Sequence, residues 1–282
     1  AKAAGVQLLV GPSHSYDAPI REARRLIASG AYGRLRLVTA LNFTDFLYRP
    51  RRPEELDTAQ GGGVIFSQGA HQIDILRLLG GGLVRSVRAA AGQWDPARPT
   101  EGAYAAFLDF VGGAVATITY SGYAHFDSDE LCGWVGETGA AKDPERYGTA
   151  RRALAAAPDA AAEAALKSQR GYGTAPDAPP ARFHEHFGFL IASCEHADLR
   201  PLPQGVMIYG NAERRLHPLP APAAARSAVI DELYAAVVEG RAPVHSGEWG
   251  LATLEVCLAL LRSAEDGREV KLAAQVPVPD GA

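Results

Sequence analysis

The stretch Gly61-Gly62-Gly63-Val64-Ile65-Phe66-Ser67-Gln68-Gly69-Ala70-His71-Gln72-Ile73-Asp74 joins a glycine run to an apolar segment that carries one histidine and one carboxylate. Its spacing predicts a helix. Residues three or four apart share a helical face, so Ser67, His71 and Asp74 are expected to point one way, while Ile75, Leu78 and Leu79 anchor the helix in a core. An imidazole beside a carboxylate takes a proton near neutral pH, which makes His71 a candidate base with Asp74 as its support. On the residues alone, a core histidine tied to a helix-packing aspartate remains the alternative.

On either side of this stretch the patterns are mixed. Residues 34–43 alternate, with Leu35, Leu37, Thr39, Leu41 and Phe43 on one side and Arg34, Arg36 and Asn42 on the other, the pattern of a half-buried strand. Residues 104–110 and 115–120 flank Val111-Gly112-Gly113-Ala114, an antiparallel hairpin signal. Residues 187–193 and 206–209 add two strands. Earlier, the apolar run 6–10 followed by Gly11-Pro12 reads as a buried parallel strand, and Asp17 as the cap of a helix with Pro19 in its first turn. Ala1 to Ala4 reads as the end of a helix whose beginning lies outside the chain. Near the other end, Ser227 is expected to cap a helix with Ile230, Leu233, Val237 and Val238 inward, and a second helix carries Leu251, Leu254, Leu258 and Leu261. Residues 142–183, alanine-rich and then proline-rich, read as an insertion of short helices and a loop, with a disordered linker as the alternative. The predicted class is α+β: a large, predominantly antiparallel open sheet with helices on one face.

The chain of 282 residues has a formal net charge of −4 and a pI near 6.1, which disfavours nucleic acid and anionic membranes as partners. Small molecules and further copies of the chain are the expected partners. The three cysteines, Cys132, Cys194 and Cys257, lie far apart and suit a reducing cytoplasm as free thiols. No apolar run reaches the roughly 18 residues that a bilayer demands, so a cytoplasmic protein is expected. Lysine occurs only at Lys2, Lys142, Lys167 and Lys271, none in a recognisable catalytic context.

The glycine run with His71-Gln72-Ile73-Asp74, the hairpin ending in Thr119-Tyr120-Ser121, and the tail from Gly240-Arg241-Ala242-Pro243 to Ser263-Ala264-Glu265-Asp266-Gly267-Arg268-Glu269-Val270 resemble the glucose–fructose oxidoreductase and inositol dehydrogenase family, Gfo/Idh/MocA. Within it, residues 40–53 and 120–127 are similar to the bacterial phthalate 4,5-cis-dihydrodiol dehydrogenases. The resemblance implies an NAD(P)-dependent oxidoreductase and a homo-oligomer built through the open sheet face. It also implies a preceding dinucleotide-binding domain with a glycine-rich turn and a Glu-Lys-Pro motif, neither of which occurs in these residues. Gly61-Gly62-Gly63 and Gly80-Gly81-Gly82 lack the strand-turn-helix order of a phosphate cradle. The implied division is therefore 1–33 as the last β-α unit of the Rossmann-type domain and 34–282 as the substrate and oligomerisation domain, with the main NAD(P) site outside the chain. Where the family often has aspartate four residues before the histidine, this chain has Ser67, which hydrogen-bonds but does not offset an imidazolium.

The chemistry so implied is oxidation of a cyclic alcohol, a phthalate-type cis-dihydrodiol becoming the dihydroxy-aromatic. His71 is the expected base, with Asp74 and Ser67 around it. An anionic diol suits guanidinium forks, and Arg49, Arg51 and Arg52 cluster shortly before the histidine. The opposing reading is a solvated loop whose arginines pair with Glu54, Glu55 and Asp57. His14 follows the expected strand end, where α/β sheets place ligands. His125 lies beside Asp127 and Asp129 as a further substrate-binding candidate, and no metal is expected at it or at His184 and His186, which lack a ligand spacing. A sugar or inositol dehydrogenase, and a non-catalytic fragment that only binds or assembles, are the competing readings.

Overall fold

Gly112 and Gly113 close the turn between β3 (Ala103–Phe110) and β4 (Val115–Ser121), and Gly113, at φ 84°, takes the left-handed conformation that this turn requires. The computed structural model that carries this hairpin describes residues 1–11, 13–169, 182–222 and 226–279. Seven further strands complete one sheet: β1 (Leu35–Phe43), β2 (Val84–Gly92), β5 (Phe189–Cys194), β6 (Ala197–Leu202), β7 (Gly205–Gly210), β8 (Arg214–Pro218) and β9 (Val270–Lys271). Their order is β8-β7-β6-β5-β1-β4-β3-β2-β9. Every pairing is antiparallel except β1 with β4, where Leu37 to Phe43 run beside Val115 to Ser121. The sheet is thus the predominantly antiparallel one expected.

Among the described residues there are six α-helices: α1 (Ala18–Ala28), α2 (Ala70–Gly80), α3 (Thr149–Ala155), α4 (Ala160–Ser168), α5 (Ser227–Val238) and α6 (Gly247–Asp266). None is long and apolar enough to cross a membrane. α2 lies over β1 and β4 in the middle of the sheet, and α6 packs beside it on β2 and β9 at one end. Beneath them, cross-strand rows such as Leu190, Ala40, Ile118 and Ala106, and Ala192, Val38, Ala116 and Leu108, are buried. The alternation in β1 is present, but the helix-covered side is Val38, Ala40 and Asn42; Leu35, Leu37, Leu41 and Phe43 face the open side, half-buried.

Four other expectations change. Residues 6–10 form no strand: a single bridge joins Leu9 to Ser246, and Val6, Leu8 and Val10 are exposed, because no parallel neighbour is present among the described residues. Ala1 to Ala4 makes only a 3-10 turn, from Lys2 to Ala4. The helix α1, read with the preceding unit, instead adds Ile20, Ala23 and Leu26 to the core of this sheet and packs on α2, β6 and β7. The stripes predicted inward on the last two helices face outward, with Ile230, Leu233, Val237 and Val238 of α5 and Leu251, Leu254 and Leu258 of α6 exposed. On α6 the buried face is Trp249, Ala252, Thr253, Val256, Cys257, Ala259 and Leu260, a stripe of mixed size that leucine counting overlooks. The insertion does hold helices, α3 and α4, and Glu163 of α4 ties back to buried Arg98 at 2.8 Å; its proline-rich part, 176–180, lies outside the described residues.

The rotated face of α6 gives a direct check. Leu260→Ala removes a fully buried side chain and should cost about 2–5 kcal/mol, whereas Leu258→Ala should stay within about 0.5 kcal/mol. Urea unfolding of the two variants measures the difference, and equal losses would contradict the assignment.

Candidate active site

The glycine run is built for close packing. Gly63 has φ 82°, and a Cβ there would collide with the carboxylate of Glu101, which accepts from the Ile65 amide at 3.2 Å. Gly62 lies against the backbone of Glu54 and Glu55 in the same way. These contacts occupy the glycines as turn and packing residues. The chain then makes a π-helical turn over Ile65–Gly69 before α2 begins. That wider turn breaks the 3.6-residue period between Ser67 and His71. Ser67 is exposed and donates back to the Gly63 carbonyl, Gln68 accepts from the Tyr120 hydroxyl at 3.3 Å, and Gln72 accepts from the Tyr104 hydroxyl at 2.7 Å.

Asp74 does not join His71. It is fully buried, and its Oδ1 accepts from Trp249 Nε1 at 2.6 Å and Thr253 Oγ1 at 3.0 Å. Its Oδ2 lies 3.4 Å from His245 Nε2, a charge contact too poorly aligned to count as a hydrogen bond. His245 in turn holds Glu232 through Nδ1 at 3.1 Å and Ser15 Oγ through Nε2 at 2.7 Å, and it stacks on Tyr16. Burial disfavours a charged His245, but Asp74 and Glu232 outweigh it and raise its pKa. Asp74 is the helix-packing aspartate, and the expected His71–Asp74 hydrogen bond is not formed.

His71 instead meets aromatic rings. Its ring centroid is 5.0 Å from that of His14 and 5.1 Å from that of Phe187, and His14 lies 4.9 Å from Phe187, so the three close on one another. Tyr120 stacks behind Phe187 at 6.3 Å. The Nδ1 of His71 is buried with no hydrogen-bond partner among the described residues. Burial, together with the neighbouring His14, pulls its pKa down to about 4, so at neutral pH the ring is uncharged.

His14 differs in one contact. Its Nδ1 lies 2.9 Å from Asp17 Oδ2, both residues being buried. Asp17 was read as the cap of α1, and it stands at that position, but its carboxylate makes no cap bond because it is turned to the histidine. Burial disfavours the charged His14 ring, yet Asp17, with Glu137 and Glu185 further off, outweighs this and raises its pKa. Glu137, in the turn bridged by Val135 and Ala141, accepts from Asn42 Nδ2 at 3.3 Å and acts electrostatically on both histidines.

The arginine cluster separates. Arg51 is buried, spends its fork on the Phe46 carbonyl at 3.2 and 3.0 Å and on Glu55 at 3.3 Å, and stacks over the Phe46 ring. It builds the loop: the Glu55 pairing is the one the opposing reading expected, but the side chain is buried and not solvated. Arg52 is exposed. Arg49 lies closest to Glu137 in its electrostatics: desolvation works against its charge, but Glu137 and Asp45, to which it donates at 3.0 Å, outweigh that and keep it charged. It also lines a cleft of about 590 Å³ with His125, Trp134, Lys142 and Arg151. That cleft includes neither His14 nor His71, so His125 and the histidine cluster are not brought together. His186 donates through Nε2 to the Val135 carbonyl at 2.7 Å and lies 3.8 Å from Asp129; His184 meets the Pro220 carbonyl at 2.8 Å.

A model of the GFO/IDH/MocA C-terminal domain matches residues 20–142. The chain is 46% identical over 269 residues to a 1-carboxy-3-chloro-3,4-dihydroxycyclohexa-1,5-diene dehydrogenase of Comamonas testosteroni, covering 94% of this chain and 68% of that one. The crystal structure of a protein described as a dehydrogenase from Bordetella bronchiseptica RB50 is 43% identical, with a TM-score of 0.89, over 96% of this chain and 71% of that one. The WlbA dehydrogenase from Bordetella pertussis, crystallised with NADH and UDP-GlcNAcA, shares the fold at 19% identity and a TM-score of 0.58, over 96% and 65% of the two chains.

The low pKa of His71 has a measurable sign. The unfolded ring takes its proton near 6.5 and the folded one near 4, so the stability His71 contributes is fully present above pH 6.5 and is lost as pH falls towards 4. An NMR titration should leave the His71 ring resonances unmoved from pH 7.5 to about 5.5, and a midpoint above about 6 would contradict the assignment.

Proposed function

Because the chain belongs to the GFO/IDH/MocA oxidoreductase family, we propose that it oxidises a carboxylated cyclic cis-diol, a ring alcohol of the phthalate dihydrodiol type, with NAD(P) as acceptor. The observation that carries the reading is the pairing of 46% identity to a carboxy-dihydroxycyclohexadiene dehydrogenase with a buried, unpartnered His71 Nδ1 beside a carboxylate-bound His14. A substrate hydroxyl would give that nitrogen the partner the chain withholds.

The residues described fit the diol side of such a reaction. Phe187, backed by Tyr120, forms an apolar wall beside both imidazoles, His14 and His71 would offer nitrogens to the hydroxyls, and Arg49, whose charge Glu137 and Asp45 sustain, is the candidate cation for a carboxylate. They do not fit the pyrophosphate, since the two glycine runs are taken up by turns and packing. The proposal therefore places the main nucleotide site outside these 282 residues, in the part of the relatives that the chain does not cover. The dinucleotide, when bound, supplies the hydride acceptor. The protein's own task is alignment and the removal of one proton, because formation of an aromatic product drives the oxidation.

Self-association belongs to the same reading. The open sheet face presents Leu37, Leu41, Phe43, Phe107, Phe189 and Ile191 half-buried or exposed, a contiguous apolar set of the kind that marks interaction surfaces. Light scattering should report at least a dimer at micromolar concentration; a monomer would count against this face as an interface.

The function is tested by specificity. Arg49→Met should raise KM for a carboxylated cis-diol by about 10- to 100-fold, the loss of one charge-assisted contact, and leave that for a neutral cyclic diol within about threefold. Steady-state kinetics on the full-length enzyme reads both. Equal effects on the two substrates would remove Arg49 from carboxylate recognition, and no oxidation of either diol would overturn the proposed function.

A further inference from the structure

We propose that His14, its ring fixed by Asp17, is the group that accepts the hydroxyl proton, while His71 opposite it acts as a hydrogen-bonding partner that positions the same hydroxyl. The inference rests on the dehydrogenase reading and names the base within it. Sequence reasoning favours His71 because Asp74 follows it on a helix, but in the structure Asp74 turns to Trp249 and Thr253, and it is His14 that holds a carboxylate, that of Asp17.

The geometry argues this in three steps. Asp17 Oδ2, 2.9 Å from His14 Nδ1, holds the proton on that nitrogen, so the lone pair of the neutral ring resides on Nε2 at the far side. The two rings meet edge to face at 5.0 Å, with Phe187 against both, so the His14–Asp17 pair stands directly beside the unpartnered Nδ1 of His71. His14 is buried, with 6% of its surface open, and His71 beside it is half-buried. Asp17 then stabilises the imidazolium that forms, a service His71 lacks because Asp74 is committed to Trp249 and Thr253. The upward direction of the His14 pKa and the downward one of His71 agree with that division.

In the step itself, the carbinol C–H bond breaks and its hydride goes to an oxidised nicotinamide dinucleotide. The O–H bond breaks, its proton goes to His14 Nε2, and its electron pair becomes the second bond of the carbonyl. Two electrons leave the substrate, and one proton is left on the enzyme. Besides Asp17, the ionisable groups that face His14 are Glu137 in the turn after Val135, Glu185 before β5, and His71 of α2, while Arg226 acts on Asp17 and His71. The base must be neutral to act, so kcat/KM should rise with pH through the His14 pKa, on the high side of 6.5.

The test is a set of pH–rate profiles on the full-length enzyme, with thermal denaturation to confirm that each variant is folded. His14→Gln should lower kcat by at least about 10²-fold at pH 7.5 with dinucleotide affinity unchanged. Asp17→Asn retains the histidine; its acid limb should move to lower pH and kcat should fall by about tenfold or more, a pair of changes that a purely structural aspartate would not produce. His71→Gln should keep the acid limb where it is in wild type. If wild type oxidises the diol and His14→Gln retains more than a third of its kcat, or if the acid limb disappears in His71→Gln, the inference is overturned alone. If wild type oxidises no cyclic diol, the dehydrogenase reading fails and this inference fails with it.

Discussion

Asp74 has no exposure to water, and a buried carboxylate imposes its demands on everything around it. It is met by Trp249 and Thr253 of α6, by the charge of His245, and at one remove by Arg77, which donates to the same Thr253 hydroxyl at 2.8 Å and lies over the Trp249 ring. The network bolts α2 to α6 and fixes the rotation of α2 about its axis. Once Asp74 faces α6, His71 three residues earlier faces Phe187 and the loop that carries His14. Networks of this kind are strongly coupled, so the loss of one member leaves the others unsatisfied in a low-dielectric interior. The histidine cluster is therefore a consequence of how α2 is pinned.

The two histidines illustrate how one residue type is given two characters by position. Both rings are desolvated, which works against charge in each. His14 has a carboxylate in hydrogen-bond contact and His71 has none, and this single difference sends their pKa values apart. Such a separation within one contact distance is the arrangement by which a protein assigns proton transfer to one group and orientation to its neighbour.

Much of the sheet was legible in the chain. The Gly112–Gly113 turn, the alternation of β1 and the apolar cores of β5 and β7 are local signals, and the α+β class followed from them. What was not legible depends on long-range packing. The inward face of α6 is written in Trp, Ala, Thr and Cys as much as in leucine, so a search for leucine at helical spacing chose the wrong side. The strand expected over residues 6–10 has the right composition, but a strand exists only through its partners. At the site, His14 and Asp17 stand three residues apart, a spacing visible in the chain, yet Asp17 also fits a helix cap and was read as one. Glu137, Phe187 and His245 carried no local signal at all, since their roles arise from contacts across distant parts of the sequence. The arginine triple shows the same limit: one fork builds the loop, one points to water and one pairs with Asp45 at the edge of the cleft beside His125, and adjacency in sequence distinguishes none of them.

The relatives with high identity fix the family, and the more distant ones fix the fold, while our proposal puts the reaction at the meeting point of His14, His71 and Phe187. A crystal structure of the full-length enzyme with oxidised dinucleotide and a slowly turned-over carboxylated cyclic diol tests that claim most directly. The account predicts a diol hydroxyl roughly 2.6–3.2 Å from a ring nitrogen of both histidines, with the substrate carboxylate on Arg49. A diol seated in the cleft beside His125 and Lys142, with no atom in reach of either ring, would contradict it.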